Sequence, residues 1–440
     1  MSEFIISIFV APDIKVPELN LARFRNLEIE VVSLQSSVIA KRTSLLALDF
    51  ETLCESHRVK SFETRIRHRW NIQAEREINI RSLIWPLTPR RILIAILYTK
   101  IFRNFARKML CYLADLDLKL LKQLKDHLHI EGLVDTKVLM LSGGAFGGIE
   151  NVVIKLCRRR GIPTFLVVDN WDNLSSKSIY WNTPDYLAVW GEEMMRDAIE
   201  MQGFHKSQIS IIGSSRVDLK VNKSESNFNF PRNYACFIGS GWQFSNEVDL
   251  VERASKILEE ELPTMKLIYR PHPSYLNQEA VDTLISEFVP FKNIILDVGL
   301  TSVIRGATWY SLDSLQQLQE LLRNAKFIMG AHSTSLVEAL YYGKTVIANS
   351  YSDLPIFRDG DAWGAYSHML QIRGNTNVLE SKSVDHFLSL LRSFTKEVKE
   401  LDRGHVDERK YVTNYVPRII PSFESSYASR LKNFLTQAKI

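Results

Sequence analysis

The sequence contains few residues of the kinds that build disulfide frameworks, zinc sites or long disordered segments. Its 440 residues include only four cysteines, 19 glycines and 14 prolines. The cysteines are single and widely spaced, which excludes a CxxC zinc site and a disulfide scaffold and favours a reducing, cytosolic compartment. Because 45% of the residues are hydrophobic, the chain is typical of folded proteins, and its length predicts two domains of about 200 residues each.

Long hydrophobic runs are also missing. No uninterrupted apolar run reaches the roughly 20 residues that are needed to span a bilayer. The first ten residues carry an acid and no basic region, which predicts a first strand and not a signal peptide. We therefore expect a cytoplasmic protein, either soluble or bound at the inner face of the cytoplasmic membrane.

The positive charge of the chain is concentrated in one segment. Residues 58–110 hold thirteen Lys or Arg and three Glu, whereas the rest of the chain sums to −5. If residues 90–108 form a helix, Arg103 and Arg107 lie one turn apart beside an apolar face. This pattern fits a buried helix with a solvated basic edge, or a helix that contacts anionic lipid. No nucleic-acid motif accompanies the charge, so we expect no nucleic-acid partner.

Short apolar runs of the strand type alternate with helical patterns in both halves of the chain. These runs are residues 136–141, 163–168, 185–191, 209–213, 234–238, 265–269, 293–296, 326–329 and 345–348. The alternation predicts an α/β fold built on parallel sheets. The predicted parts are a Rossmann-like N-terminal domain (1–218) with a basic helical insertion (about 58–130), a polar linker (219–233), a Rossmann-like C-terminal domain (234–415) and a closing helix (416–440).

The richest stretch of the sequence is residues 326–349, which predict a strand, a turn, a helix and a second strand. The turn contains His332, Ser333, Thr334 and Ser335, whose backbone N–H groups and hydroxyls gather at a positive helix N-terminus that favours an anion. Glu338 lies one turn into the helix, where its carboxylate can accept hydrogen bonds from ribose. Alternatively, the serines cap the helix and Glu338 completes a capping box.

Two further turns follow predicted strands of the same half. Arg270 and His272 lie in the sequence Arg-Pro-His-Pro, whose prolines end the strand 265–269. An arginine offers bidentate contact to a phosphate, and a protonated histidine neutralises a leaving phosphate. The turn after strand 234–238 is of the phosphate-contact type and consists of Gly239, Ser240 and Gly241.

Taken together, these motifs resemble the donor half of GT-B glycosyltransferases. The resemblance rests on Arg270-Pro271-His272-Pro273, on His332 to Ser335, on Glu338-Ala339-Leu340 and on Gly343-Lys344. It is greatest for bacterial surface-carbohydrate enzymes, including capsule sialyl- and Kdo-type transferases. It is weaker for polyol-phosphate transferases and non-hydrolysing sugar-nucleotide epimerases.

The resemblance implies two Rossmann-like domains facing across a cleft, a CMP- or UDP-linked sugar donor as substrate, no metal ion and no other cofactor. In sialyl-type members, an HP motif and a paired-Ser motif contact the nucleotide phosphate. These motifs map onto His272 with Pro273, and onto Ser333 with Ser335.

Two loops of the N-terminal half are candidates for the acceptor site. The first follows strand 136–141, contains Gly143 and Gly144, and leads into a helix that begins near Glu150. The second follows strand 163–168 and holds seven polar residues and one tryptophan between positions 169 and 177. Its candidate acceptor-binding residues are Asn170, Trp171 and Asn173. A turn network of Asx hydrogen bonds explains this second loop equally well.

The catalytic base stays open at this point. The acidic-acidic-Gly motif that carries the base in sialyl-type members has no clear copy in this sequence. Asp172, Asp169 and Glu150 are the candidates, although a glutamate at a helix start is common for dipole reasons alone.

The sequence therefore predicts a metal-independent glycosyltransferase that moves a sugar from a nucleotide donor to a cell-surface polysaccharide or glycolipid. A sugar-nucleotide 2-epimerase or a CDP-polyol phosphotransferase of the same fold is the alternative enzyme. A glycan- or lipid-binding scaffold without catalysis is the alternative outside enzymes.

Overall fold

A computed structural model gives the fold. It describes residues 6–9, 138–142, 154, 157–159, 161–168, 170–177, 183–217, 230–240, 243–244, 246–272, 278–297, 312–331, 333–354, 360–402 and 415–435. The predicted basic insertion lies outside these residues, as does most of the predicted linker. The chain divides into two compact units: Ser215–Ser422 form the second, and the described residues up to Ser214, together with those from Phe423 onward, form the first.

The first unit is built on a five-stranded parallel sheet. Its strands are β1 (Ile6–Phe9), β2 (Val138–Ser142), β3 (Thr164–Val167), β4 (Tyr186–Val189) and β5 (Ile209–Ile211), and they lie in the order β1-β2-β3-β4-β5. A π-helical segment (Asn173–Lys177) follows β3, α1 (Glu192–Glu200) follows β4, and a 3-10 turn (Lys206–Gln208) precedes β5. All four strand pairs are parallel.

The second unit contains a six-stranded parallel sheet. The strands are β6 (Tyr234–Ile238), β7 (Lys266–Arg270), β8 (Ile294–Leu296), β9 (Ile328–Gly330), β10 (Val346–Asn349) and β11 (Val378–Ser381). The helices are α2 (Glu247–Glu261), α3 (Gln278–Phe288), α4 (Leu312–Asn324), α5 (Thr334–Tyr341), α6 (Ser367–Leu370) and α7 (Val384–Asp402), with a 3-10 turn at Trp363–Ala365. The helix α8 (Tyr427–Leu435) belongs to the first unit.

The strand order of the second sheet locates its ligand-binding edge. The order is β11-β10-β9-β6-β7-β8, which is the Rossmann order when the strands are counted within the unit. The direction of winding reverses between β6 and β9, and open parallel sheets bind ligands at such a reversal, beyond the carboxyl ends of the strands. We call this place the switch point.

Helices cover both faces of the second sheet because its strands are apolar on both sides. Phe237, Leu267 and Met329 belong to one buried cluster that also includes side chains of α2 and α7. The buried residues of α7 recur at helical spacing: Phe387, Leu391, Phe394 and Val398. On the other face, the Tyr234 hydroxyl donates to the carbonyl of Leu321 in α4. Burial on both faces is what continuous apolar strands require.

The predicted α/β class with parallel sheets is confirmed. Strand β11 was missed, because Val378–Ser381 has too few apolar residues to stand out in the sequence. Among the described residues, no helix is both long and apolar enough to cross a bilayer.

Candidate functional site

Three segments that are remote in sequence meet at the switch point. Ile238 of β6 pairs with Arg270 of β7 on one side and with Gly330 of β9 on the other. Because adjacent strands lie about 4.8 Å apart, the Cα atoms of Arg270 and Gly330 are about 10 Å apart. Arg270 and His272, the first residues after β6, and the start of α5 at Ser333 therefore share one edge of the sheet.

The turn after β6 is held tightly against the end of β7. The backbone N–H of Gly239 donates to the carbonyl of Arg270 at 2.9 Å. A Cβ atom at position 239 would lie 3.1 Å from the backbone nitrogen of His272 and 2.4 Å from Oε1 of Glu247. Only glycine fits this position without a shift of its neighbours, because backbone and a bonded carboxylate occupy the space.

Glu247, in the first turn of α2, fixes this turn. Its Oε2 accepts from the backbone N–H of Ser240 at 2.9 Å and lies 3.3 Å from the Ser240 hydroxyl. Its Oε1 accepts from the Tyr269 hydroxyl at 2.8 Å. Burial, together with the Glu247 carboxylate, raises the pKa of Tyr269 well above its usual value. The predicted phosphate contact Ser240 is fully buried, so its hydroxyl faces the protein.

Arg270 ends β7 in a buried ion pair. Its Nη1 lies 2.7 Å from Oδ2 of Asp297, and the two side chains are 4% and 1% exposed. The other carboxylate oxygen, Oδ1, accepts from Gln317 at 3.1 Å. The sequence predicted that Arg270 grips a phosphate, whereas in this geometry its charge is balanced by Asp297. His272, two residues further on, is half-buried.

Ser333 is the N-cap of α5. Its side chain accepts from the backbone N–H of Ser335 at 3.2 Å, and its backbone is extended, as capping requires. Ser333 and Thr334 are half-buried, whereas Ser335 is buried. The capping interpretation of the turn therefore holds, and it is compatible with an anion, because a helix start directs N–H groups outward at its positive end.

Glu338 has protein partners on both carboxylate oxygens. Oε1 accepts from Nε of Arg216 in an ion pair, and Oε2 accepts from Gln319 at 3.2 Å. Gln319 in turn accepts from the Tyr342 hydroxyl. Glu338 is fully buried. Both carboxylate oxygens therefore bond to protein side chains, whereas the sequence predicted a contact with ribose or a capping box.

One helix completes both ion pairs. Gln317 and Gln319 lie two residues apart on α4 and donate to Asp297 and Glu338, respectively. Buried charges are stable only when they are paired and their remaining hydrogen-bonding capacity is filled. The two Arg-carboxylate-Gln clusters therefore form the framework behind the switch point. Neither was foreseen, because the partners are 27 and 122 residues apart and no local pattern links them.

The predicted site residues thus fall into two groups. His272, Ser333 and Thr334 are half-buried at the carboxyl edge, together with the backbone N–H groups at the start of α5. Arg270, Gly239, Ser240, Ser335 and Glu338 are buried. Gly241 and His332 lie outside the described residues.

The second loop of the first unit has its own arrangement. Trp171 is 1% exposed, whereas Asn170 and Asp172 are half-buried. The hydroxyl and N–H of Ser175 donate to the backbone carbonyl of Asp172 at 3.2 and 3.3 Å. The predicted network of Asx side-chain bonds stays a prediction. Gln202, in the turn after α1, donates to the carbonyl of Leu174 at 2.6 Å.

Asn173 differs from its neighbours in this loop. It is 1% exposed, and neither its amide nitrogen nor its amide oxygen has a hydrogen-bond partner. The other candidates in the first unit, Gly143, Gly144, Glu150 and Asp169, lie outside the described residues. Within the ranges that the structure describes, no group of three or more His, Cys, Asp or Glu could hold a metal ion.

Comparison with known proteins gave matches among solved structures alone. No family model and no curated protein matches the chain. The matching structures include UDP-GlcNAc 2-epimerase from Methanocaldococcus jannaschii in complex with UDP-GlcNAc and UDP, at 12% identity, a TM-score of 0.44 and coverage of 70% of this chain and 78% of that one. They include UDP-GlcNAc 2-epimerase from Neisseria meningitidis bound to UDP-GlcNAc, at 11% identity and a TM-score of 0.43, over 70% and 78% of the two chains. Anabaena HepE in complex with UDP and glucose matches at 10% identity and a TM-score of 0.40, over 70% and 79%.

Proposed function

We propose that this protein is a glycosyltransferase that takes a sugar from a nucleotide donor, with UDP or CMP as the leaving group, and transfers it to a glycan or glycolipid. The observation that supports this most directly is the convergence of His272, the turn after β6 and the Ser333 cap at the switch point. The turn after β6 brings its backbone close to this edge, and His272, the Ser333 hydroxyl and the first N–H groups of α5 offer hydrogen-bond donors where parallel sheets bind nucleotides.

The proposed chemistry is the displacement of the nucleotide by the acceptor hydroxyl. The acceptor oxygen forms a bond to the anomeric carbon, and the bond from that carbon to the phosphate oxygen breaks, with its electron pair leaving on the phosphate. His272, the Ser333 hydroxyl and the first N–H groups of α5 stabilise the negative charge that develops. A carboxylate of the first unit, with Asp172, Asp169 and Glu150 as candidates, takes the proton of the acceptor hydroxyl.

Arg270 and Glu338 have indirect roles in this proposal. Their ion pairs with Asp297 and Arg216 hold β7 and α5 in place, so the donors that contact the nucleotide are set by a rigid framework.

A charge at position 333 tests the phosphate seat separately from the cap. Aspartate caps helices about as well as serine does, so Ser333→Asp retains the stability of α5 while it places a negative charge beside the bound phosphate. We expect UDP and CMP, titrated by calorimetry, to bind the variant at least tenfold more weakly than wild type. Ser383 caps α7 in the same way, with its hydroxyl accepting from His386 N–H at 3.1 Å, so Ser383→Asp is the matched control and should bind both nucleotides normally.

Equal nucleotide affinity in Ser333→Asp and wild type would mean that the phosphate does not bind at the start of α5. A wild-type protein that binds neither UDP nor CMP would remove the proposed function itself.

A donor panel then identifies the reaction. We expect His272→Ala to slow transfer at least tenfold, because the imidazole is one of the groups that stabilise the charge on the leaving phosphate. The melting temperature of the variant is measured beside the rate as a check on the fold. Incubation of the wild type with each nucleotide sugar alone distinguishes an epimerase, which forms an isomer without an acceptor. Release of CMP from a CDP-polyol would indicate a phosphotransferase.

A further inference from the structure

Among the described residues of the first unit, Asn173 has a buried side-chain amide whose nitrogen and oxygen both lack a hydrogen-bond partner. A carboxamide has two N–H donors and an oxygen with two lone pairs. Each buried polar group without a partner costs about 1 to 3 kcal/mol, and most buried polar groups in proteins have partners. The lack of any partner on both Nδ2 and Oδ1 therefore needs a physical explanation.

The position of Asn173 indicates a ligand. It follows the carboxyl end of β3, which is the edge where open parallel sheets bind ligands. It begins the π-helical segment Asn173–Lys177, and such segments occur frequently at functional sites. The backbone carbonyls on either side of Asn173 are satisfied, since Leu174 accepts from Gln202 and Asp172 accepts from Ser175. The Asn173 amide is not satisfied.

The chemistry of a carboxamide selects among ligands. A phosphate or carboxylate satisfies the N–H groups but brings negative charge against the amide oxygen. A cation satisfies the oxygen and repels the amino group. Two neighbouring hydroxyls satisfy both ends, because one donates to Oδ1 while the other accepts from Nδ2.

We propose that Asn173 binds a pair of vicinal hydroxyls of a carbohydrate, and that this pair belongs to the acceptor. The assignment of the sugar as acceptor rests on the proposed function; the recognition of vicinal hydroxyls does not. Since both amide atoms are closed to solvent, the segment 170–177 must open for the hydroxyl pair to enter.

The test uses simple saccharides and a matched pair of variants. Saturation-transfer NMR measures binding of methyl β-D-galactoside, methyl β-D-glucoside and methyl β-D-N-acetylglucosaminide to the full chain. The probes include analogues in which one hydroxyl of each vicinal pair is replaced by hydrogen. We expect at least one glycoside to bind the wild type, and its deoxy analogue to give at least a fivefold weaker signal.

Asn173→Leu removes the hydrogen-bonding groups at similar size. Since a buried polar group without partners is lost, we expect an unchanged or higher melting temperature together with at least a fivefold loss of the saccharide signal. Asn293 provides the control. It is 5% exposed, its amide nitrogen also lacks a partner, and it lies at the amino end of β8, away from the ligand-binding edge. Asn293→Leu should leave saccharide binding unchanged.

Several outcomes would overturn the inference. One is a saccharide signal that Asn173→Leu does not reduce, and another is a signal that Asn293→Leu reduces equally. A wild-type protein that binds UDP but none of the glycosides also overturns it, and leaves the nucleotide seat standing. If Asn173→Leu does not fold, Asn173→Thr keeps a neutral polar side chain of similar size, with one hydroxyl in place of the two amide groups. It should lose the saccharide signal to the same extent.

Discussion

The buried polar side chains near the carboxyl edges of the two sheets differ in whether they have hydrogen-bond partners. Behind the edge of the second sheet, Arg270 and Glu338 are buried with charged partners, and each carboxylate also accepts from a glutamine of α4. Beyond the edge of the first sheet, Asn173 is buried with no partner. It follows that a residue's type and its place in a motif do not establish contact with a ligand. A buried polar side chain whose hydrogen bonds are made within the protein belongs to the framework, whereas one without partners is a candidate for binding a ligand.

The largest effect in this comparison should come from Glu338→Ala. The change leaves the buried guanidinium of Arg216 without its carboxylate, and breaking a buried pair in this way costs about 3 to 5 kcal/mol of unfolding free energy. Glu260, which pairs with Arg392 where both side chains are about half exposed, is the control, and Glu260→Ala should cost less than about 1 kcal/mol. Denaturant unfolding measures both. Similar losses in the two variants would mean that the Arg216 pair is not a framework element.

Arg270→Met should cost somewhat less. We expect a loss of about 3 kcal/mol, at the lower end for a broken buried pair, because Asp297 retains its hydrogen bond from Gln317. The double variant Arg270→Met/Asp297→Leu removes both charges and should recover stability. Its affinity for UDP, measured by calorimetry, should stay within threefold of wild type. A loss of more than tenfold in UDP affinity would indicate that Arg270 contacts the phosphate.

Gly239→Ala tests the close contact between the turn after β6 and β7. The added methyl meets the backbone of His272 and the bonded carboxylate of Glu247, so we expect a loss of about 1 to 3 kcal/mol, as for overpacking, with weaker UDP binding because His272 moves. Gly161 has a φ of +69° and open space around its Cβ position. Gly161→Ala should therefore cost only backbone strain, about 1 to 2 kcal/mol, and leave UDP binding unchanged. Equal UDP affinities in the two variants would contradict this account of the turn.

The smallest effect should come from an ion pair that is partly exposed. Burial raises the pKa of Asp361, but bonds from Arg373 and from the Gly364 N–H outweigh burial and hold it below its usual value. A carboxyl whose pKa is lowered by folding stabilises the protein above its unfolded pKa and loses this effect as the pH falls through the folded value. Asp361→Asn should cost less than about 1 kcal/mol at pH 7. In thermal unfolding, its difference from wild type should shrink as the pH falls below about 3.9, the usual value for Asp, and vanish once the pH is below the lowered pKa of folded Asp361. A difference that persists at lower pH would exclude the ion pair as its cause.

The extent to which the sequence predicted the site differs from residue to residue. The cap at Ser333 and the strand end at Arg270 were predictable because each depends on neighbours within a few positions. Glu247 has no local signal beyond its place at a helix start, and its contacts with Ser240 and Tyr269 arise only when β6 and β7 pair. The same holds for Arg216, which the sequence analysis did not select and which lies 122 residues from Glu338.

The sequence by itself determined the α/β class, because continuous apolar runs that alternate with helical patterns can bury both faces only in a parallel sheet covered by helices. It also determined which turns follow which strands. The strand order that creates the switch point is seen only in the tertiary structure. The same holds for the partners of Arg270 and Glu338 and for the lack of partners on the Asn173 amide. The physical reason is that burial and pairing are properties of neighbours in space, and strand pairing brings together residues that are far apart along the chain.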